Sequence, residues 1–138
     1  MRLVLDTNVV ASALFWDGAP RRLLKHAHIV GILLYTSVPL LSELTDILSR
    51  SKFERKITAS LLSVDQIVDS YAAMASVVSP AYIVRLAPDP DDDVVIGTAI
   101  SAKADFVVTG DRTFLAVAHY QGGRIVSVKE ALDLLRLS

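Results

Sequence analysis

The chain contains no cysteine, which excludes a disulfide framework and a thiolate nucleophile and is compatible with a reducing compartment. Although 52% of its residues are apolar, no apolar run reaches the roughly 18 residues needed to cross a bilayer, so a membrane span is excluded. The N-terminus lacks a positive region followed by an apolar stretch and a cleavage site, so no signal peptide is expected and a cytoplasmic location is. Neither sign of charge is in excess: 14 basic residues face 15 acidic ones. Net charge therefore neither favours nor excludes nucleic acid, and only local clustering speaks to it. There is no internal repeat, linker or low-complexity segment. What is left is a single domain over residues 1–138, long enough to bury a real core.

The stretch Leu3-Val4-Leu5-Asp6-Thr7-Asn8 organises the rest. Its short Leu/Val run suits a fully buried strand, and it ends in a carboxylate where open α/β sheets place their sites. A helix is expected over 8–16, broken at Asp17-Gly18-Ala19-Pro20, with Pro20 opening a short basic helix that ends near Gly31. A second strand over 32–35 leads into a helix capped by Thr36 or Ser37 and running to about Ser49. One or two helices cover 58–78, broken near Ser63, where Ser63-Val64-Asp65-Gln66 fits a capping box. A brief extended segment is expected over 80–84, then an acidic turn and a helix to about Lys103. A strand over 105–109, a turn at Gly110-Asp111, a short helix over 113–119 and a last strand over 124–126 follow. Ser127-Val128-Lys129-Glu130 fits a second capping box. Strands alternating with helices imply an α/β fold with a central parallel sheet of about four to five strands and helices on both faces.

Three later acidic stretches return to the first. In the helix after Ser37, Leu40, Leu41, Leu44, Ile47 and Leu48 form one stripe, and Glu43 falls about 40° beyond its Ile47 edge. A flank position first suits a plain solvated residue, and is also where a carboxylate can point into a cleft beside the core. In Asp89-Pro90-Asp91-Asp92-Asp93, Asp89 reads as an N-cap and Pro90 as the first helical residue. That accounts for two of the acids; four among five residues are easier to understand if a cation is expected, since like charges about 4 Å apart repel by about 1 kcal/mol even in water. Val107-Val108-Thr109-Gly110-Asp111 is a second apolar strand ending in small polar residues and an Asp. Parallel strands present the same edge, so Asp6 and Asp111 can meet. With no Cys and three scattered His, such a ligand set is all oxygen, which suits Mg²⁺ or Mn²⁺ and not a structural zinc.

These residues, in this order and spacing, resemble PIN-domain ribonucleases, closest to the toxins of toxin–antitoxin pairs (VapC-like in the broad sense), over nearly the whole chain. The likeness rests on Asp6-Thr7-Asn8, Glu43, Leu48-Ser49-Arg50-Ser51-Lys52-Phe53, Asp89 to Asp93 and Ala104 to Asp111. It implies a single PIN-like domain and a Mg²⁺- or Mn²⁺-dependent endoribonuclease whose acids are Asp6, Glu43, one Asp of 91–93, and Asp111. The Asp-Pro-Asp-Asp pattern selects Asp92, whereas gapless spacing to Asp111 selects Asp93; Asp92 is preferred. Asn8 and Thr109 take polar positions beside the site. For the RNA, Arg50, Lys52, Arg55 and Lys56 offer four cations within seven residues, and Arg112 adjoins Asp111. The resemblance also implies an antitoxin partner. The Ala-, Val- and Ile-rich stretch 58–78 is a candidate face for that partner or for a second copy in a homodimer, with core packing the alternative.

Three rivals bear on the same residues. A haloacid-dehalogenase-type phosphatase needs a second Asp two places after the first, where Asn8 stands, and a catalytic Lys before the late acids. A receiver-like domain needs a central Asp at a strand end and a Lys after a late strand. A non-catalytic PIN scaffold that binds RNA fits the fold but not an intact set of four acids.

Overall fold

Leu3, Val4 and Leu5 are apolar without alternation because their strand lies mid-sheet, covered on both faces. The computed structural model describes residues 1–82 and 85–135. Strand β1 (Arg2–Leu5) pairs in parallel with β2 (Leu33–Thr36) on one side and β4 (Phe106–Val108) on the other. The six-stranded sheet has the order β3-β2-β1-β4-β6-β5. Strands β3 (Ser76–Val77) and β6 (Gly123–Val126) are parallel to their neighbours β2 and β4, and only the edge strand β5 (His119–Tyr120) is antiparallel.

The side-chain period of two divides the core. Leu3, Leu5, Leu34, Val108 and Val126 face one layer, built from α1 (Thr7–Phe15), α2 (Ala19–Val30), α5 (Val64–Met74) and α8 (Val128–Leu134). Val4, Val107 and Ile125 face the other, dominated by α6 (Pro90–Ala102) with Phe114 of α7 (Arg112–Leu115). Helix α3 (Val38–Leu48) sits at the seam, giving Leu44, Ile47 and Leu48 to the first cluster and Leu40 to the second. Each such fully buried Leu, Ile or Val contributes about 1.5–3 kcal/mol.

Local chemistry sets the ends of the helices. Ser63 and Ser127 form complete capping boxes with Gln66 and Glu130, and Gly31 closes α2 in the left-handed region at φ 72°. Ser37 occupies the N-cap of α3 without capping it; its hydroxyl instead meets that of Thr98 at 2.9 Å, joining α3 to α6 where both residues are fully buried. Segment 78–82 lies so close on α6 that Ala81 N–H donates to the Gly97 carbonyl at 2.9 Å, and a Cβ at position 97 would come within 2.4 Å of the Ala81 oxygen. Only glycine admits that approach.

The structure departs from the sequence reading in three places. The 58–78 region holds a helix that starts earlier, α4 (Glu54–Ser60), behind a 3₁₀ turn (Ser51–Phe53) that buries Phe53. Helix α5 ends at Met74, so that Ser76 and Val77 can pair with Tyr35 and Thr36. The short late helix stops at Leu115, and Ala118, at φ 67°, turns the chain into β5. Edge strands β3 and β5 thus extend the four central strands to six; at two residues each they are too short for any periodicity to register. Of the extended segment expected over 80–84, residues 80–82 form no strand and residues 83–84 lie outside the described residues.

The apolar content of 58–78 serves mainly the core, where Ile67, Val68 and Tyr71 are buried; Leu61 and Leu62 at the α4–α5 turn stay exposed. Among the described residues no helix is long and apolar enough to cross a membrane.

Candidate active site

Strand order reverses at β1: β2 and β3 are added on one side, β4 and β6 on the other. Such a switch point opens a crevice at the carboxyl ends of the strands. Asp6 follows β1 directly and Thr109, Gly110 and Asp111 follow β4, so the topology itself brings the two strand-end acids to one place.

Asp6 is only 5% exposed. Its Oδ1 accepts the Thr7 N–H at 2.8 Å as the cap of α1, and its Oδ2 accepts the Thr109 hydroxyl at 2.7 Å. Thr109 Oγ1 in turn accepts the Asp111 N–H at 3.1 Å, so one hydroxyl ties the two loops together. Asp111 caps α7, accepting the Thr113 N–H at 2.8 Å. Burial raises the Asp6 carboxyl above its ordinary range, and Asp111 and Asp89 add to this, against the lowering effect of the Thr109 and Thr7 hydrogen bonds.

Glu43 reaches the same space from α3, half-buried. Its carboxyl is raised first by burial, then by Asp6 and Asp91; the Thr7 hydroxyl beside it favours the charge without completing a hydrogen bond. Asp92 projects from the first turn of α6 and is 8% exposed. It is pushed up to about 7 by burial and then by Asp6, Asp89, Asp111 and Glu43. Its Oδ2 is buried with no hydrogen-bond partner among the described residues.

Asp93, the alternative to Asp92 in the sequence, points elsewhere. Its Oδ1 accepts the Leu86 and Ala87 N–H groups at 3.1 and 2.8 Å, and Arg85 Nε lies 4.0 Å from its Oδ2. Asp93 ties the chain leading into α6 to that helix. Asp89 and Pro90 take the N-cap and first helical positions expected of them, with Asp89 Oδ1 accepting the Asp91 N–H at 2.9 Å.

Two clefts flank the acids. One, of about 320 Å³, is lined by Glu43, Asp46 and Asp91 together with Pro39, Ser42 and Val94. The other, of about 350 Å³, is bounded by exposed Asn8, Gly110 and Asp111 with half-buried Ser12, and floored by Val9, Pro20 and Val128. The ion pairs of the described residues, Arg21–Asp17 and Arg85–Asp93, leave Asp6, Glu43, Asp92 and Asp111 without a cationic partner. An all-oxygen donor set with an orphaned buried carboxylate oxygen fits a hard divalent cation. No three acids of the described residues converge closely enough to form a ready cage, so their side chains would draw inward around an ion.

The predicted RNA-contacting cations are not all near this site. Arg112 is, exposed on α7 beside Asp111. Arg50, Lys52, Arg55 and Lys56 follow the far end of α3, which at about 1.5 Å per residue lies about 8 Å beyond Glu43. There Lys52 Nζ sits 5.5 Å from the Trp16 ring and 5.6 Å from Phe53, and Lys56 Nζ 5.8 Å from Trp16. Trp16 packs edge-on against buried Phe53 at 5.2 Å. Sequence reading missed this arrangement, since residues 16 and 52–56 are neighbours only in the fold.

Comparison with known proteins agrees with this geometry. A chain in the crystal structure of VapBC2 from Rickettsia felis, bound to a DNA fragment from their promoter, superposes with a TM-score of 0.62. The match covers 92% of this chain and 98% of that one at 16% identity, which is a likeness of fold. No curated protein matches the sequence. The family model of the PIN domain matches residues 2–113, a span that runs from β1 through Asp6, Glu43, Asp92 and Asp111, and the chain belongs to the PIN domain family.

Proposed function

We propose that this protein is a divalent-metal-dependent endoribonuclease and the toxin of a toxin–antitoxin pair. The observation that carries the reading is the unpartnered, buried Asp92 Oδ2 among Asp6, Glu43 and Asp111 at the switch point of the sheet. Membership of the PIN domain family, whose members are nucleases, and the VapBC2 fold likeness support it.

Asp6 and Asp111, on adjacent strand ends, are the proposed direct ligands of Mg²⁺ or Mn²⁺; Glu43 and Asp92 complete the set directly or through water. A bound ion of this kind supplies charge for the scissile phosphate and lowers the pKa of a ligated water. Thr109 holds Asp6 in one orientation through its 2.7 Å bond, so the ligand oxygens are positioned before substrate arrives. Burial and the neighbouring acids push the Asp92 carboxyl up to about 7, so near neutral pH it still holds a proton part of the time, which limits the mutual repulsion of the four acids. Asn8, on the rim of the cleft that Asp111 bounds, is placed to contact the RNA strand, with Arg112 nearest its phosphates. Asp93 is left out of the ligand set because its oxygens serve Leu86, Ala87 and Arg85.

Cleavage of a mixed RNA pool in Mn²⁺ should fall more than about 100-fold in Asp6→Asn, beyond what losing an outer-shell partner costs. RNA retention without cleavage by the wild type would instead make the protein a binding scaffold. The acidic pocket invites an antitoxin segment that inserts Arg or Lys. Growth arrest on expression, relieved by Asp6→Asn and by the neighbouring gene, tests that pairing. Sedimentation of the chain alone tests the homodimer.

A further inference from the structure

Two hydroxyls far apart in sequence lack hydrogen-bond partners among the described residues: Oγ1 of Thr7, which opens α1, and the phenol of Tyr71 in α5. Each residue is 2% exposed. Burying one hydroxyl unpaired is costly, and two orphans in one core call for an explanation. Both line the same small cavity, of about 10 Å³, with seven of its eight lining residues buried. Thr36 is the third polar residue of the wall, which is otherwise leucine and valine. A single water needs about 10–15 Å³ and two to four polar partners.

We propose that Thr7 and Tyr71 share one ordered water in this cavity, and that Tyr71 thereby acts as a positioning residue for the acid site. Thr7 is the link: its N–H is bonded to Asp6 Oδ1, and its hydroxyl lies beside Glu43. A water held from behind by Tyr71 fixes the rotation of that hydroxyl and, through it, the seat of the Glu43 carboxylate. The water stands on the cavity alone; the positioning role rests on the proposed metal site.

The test uses the full chain. A crystal structure fine enough to resolve waters should place one within about 2.7–3.2 Å of both hydroxyls. Without metal, Tyr71→Phe and Thr7→Val should each melt several degrees below wild type. The double variant should melt no lower than the worse single one, since either substitution already loses the water. If Tyr71→Phe melts as high as wild type or higher, or the two losses add, the cavity is dry and the proposal falls, because removing a true orphan hydroxyl relieves a penalty.

For positioning, the readout is the Mn²⁺ concentration that gives half the metal-induced rise in melting temperature. Tyr71→Phe should raise it several-fold, while Val68→Ala, a core truncation in the same helix, should not. Equal midpoints in wild type and Tyr71→Phe would overturn the positioning role. A wild type with no Mn²⁺ response would overturn the metal reading and that role with it, while density and melting still decide the water.

Discussion

Helix α3 connects two charged regions that treat their charges in opposite ways. Around Glu43, midway along it, carboxylates from four elements face the crevice, and Asp92 carries a buried oxygen with no partner among the described residues. At its far end, Lys52 and Lys56 lie over Trp16 and Phe53, so those cations are engaged by the fold itself. Arg21, in the basic helix α2, is engaged as well: it donates to the Ala13 and Leu14 carbonyls and to Asp17. A folded chain ordinarily satisfies what it buries. A buried carboxyl left unpaired in one region, while exposed cations are engaged in the other, marks where a ligand is expected.

The largest effect that could break this contrast lies within α6. Asp93→Ala should cost about 2 kcal/mol, or roughly 6 °C in melting temperature, because two backbone N–H groups lose a charged acceptor. Asp92→Asn should go the other way without metal at neutral pH, melting higher than wild type, and should abolish the Mn²⁺-induced rise. Two adjacent aspartates with shifts of the same sign would erase the distinction between a structural and a functional acid.

A pH series sharpens it next. The Asp92 carboxyl sits at about 7 in the fold against 3.8 in the unfolded chain, and Asp6 and Glu43 are raised too. Between those values the native chain holds the extra proton. The contribution of these acids to metal-free stability should therefore be fully present below about pH 4 and be lost as pH rises through about 7. In Asp92→Asn the melting curve should be flatter over that window; a wild type that melts higher at pH 7.5 than at pH 5 would contradict the burial assigned to these acids.

The smallest effect belongs to the basic end. Lys52→Ala and Lys56→Ala should each cost roughly 0.5–1 kcal/mol, the worth of an exposed cation–π contact. The Mn²⁺ response should not change. If these lysines also meet RNA phosphates at a distance from the metal, the salt slope of RNA binding should fall by about 0.7 for each phosphate no longer neutralised. An unchanged slope would leave their role to Trp16 and Phe53 alone.

Much of the site was legible because its parts sit where local rules speak. Asp6 and Asp111 end apolar strands, Glu43 flanks an apolar stripe, and Asp89-Pro90 is a helix start. The sequence preferred Asp92 to Asp93 on the Asp-Pro-Asp-Asp pattern alone, because neighbours on a helix differ by about 100° in direction and only packing decides which side faces the crevice. Strands β3 and β5 exist through their partners, Tyr35–Thr36 and Gly123–Arg124. The start of α4 was hidden because a run of charged residues carries no apolar period. Thr7 and Tyr71, likewise, become a pair only once α1 and α5 have both packed on α3.

The central pairing of β1 with β4 has a consequence for the time before the chain is complete. Leu3 aligns with Phe106, and Asp6 N–H donates to the Val108 carbonyl at 2.8 Å. The strand that carries the first acid therefore lacks one of its two flanking neighbours until more than a hundred further residues have been made. At about 5–20 residues per second, that is a delay of roughly 5 to 20 seconds. A chain interrupted before Phe106 holds Asp6, Glu43 and Asp92 with no Thr109 to orient the first and no Asp111 to face it. For a nuclease that would act on RNA, this topology withholds the assembled site from every nascent chain that has not yet reached Asp111, while it is still attached to the message that encodes it.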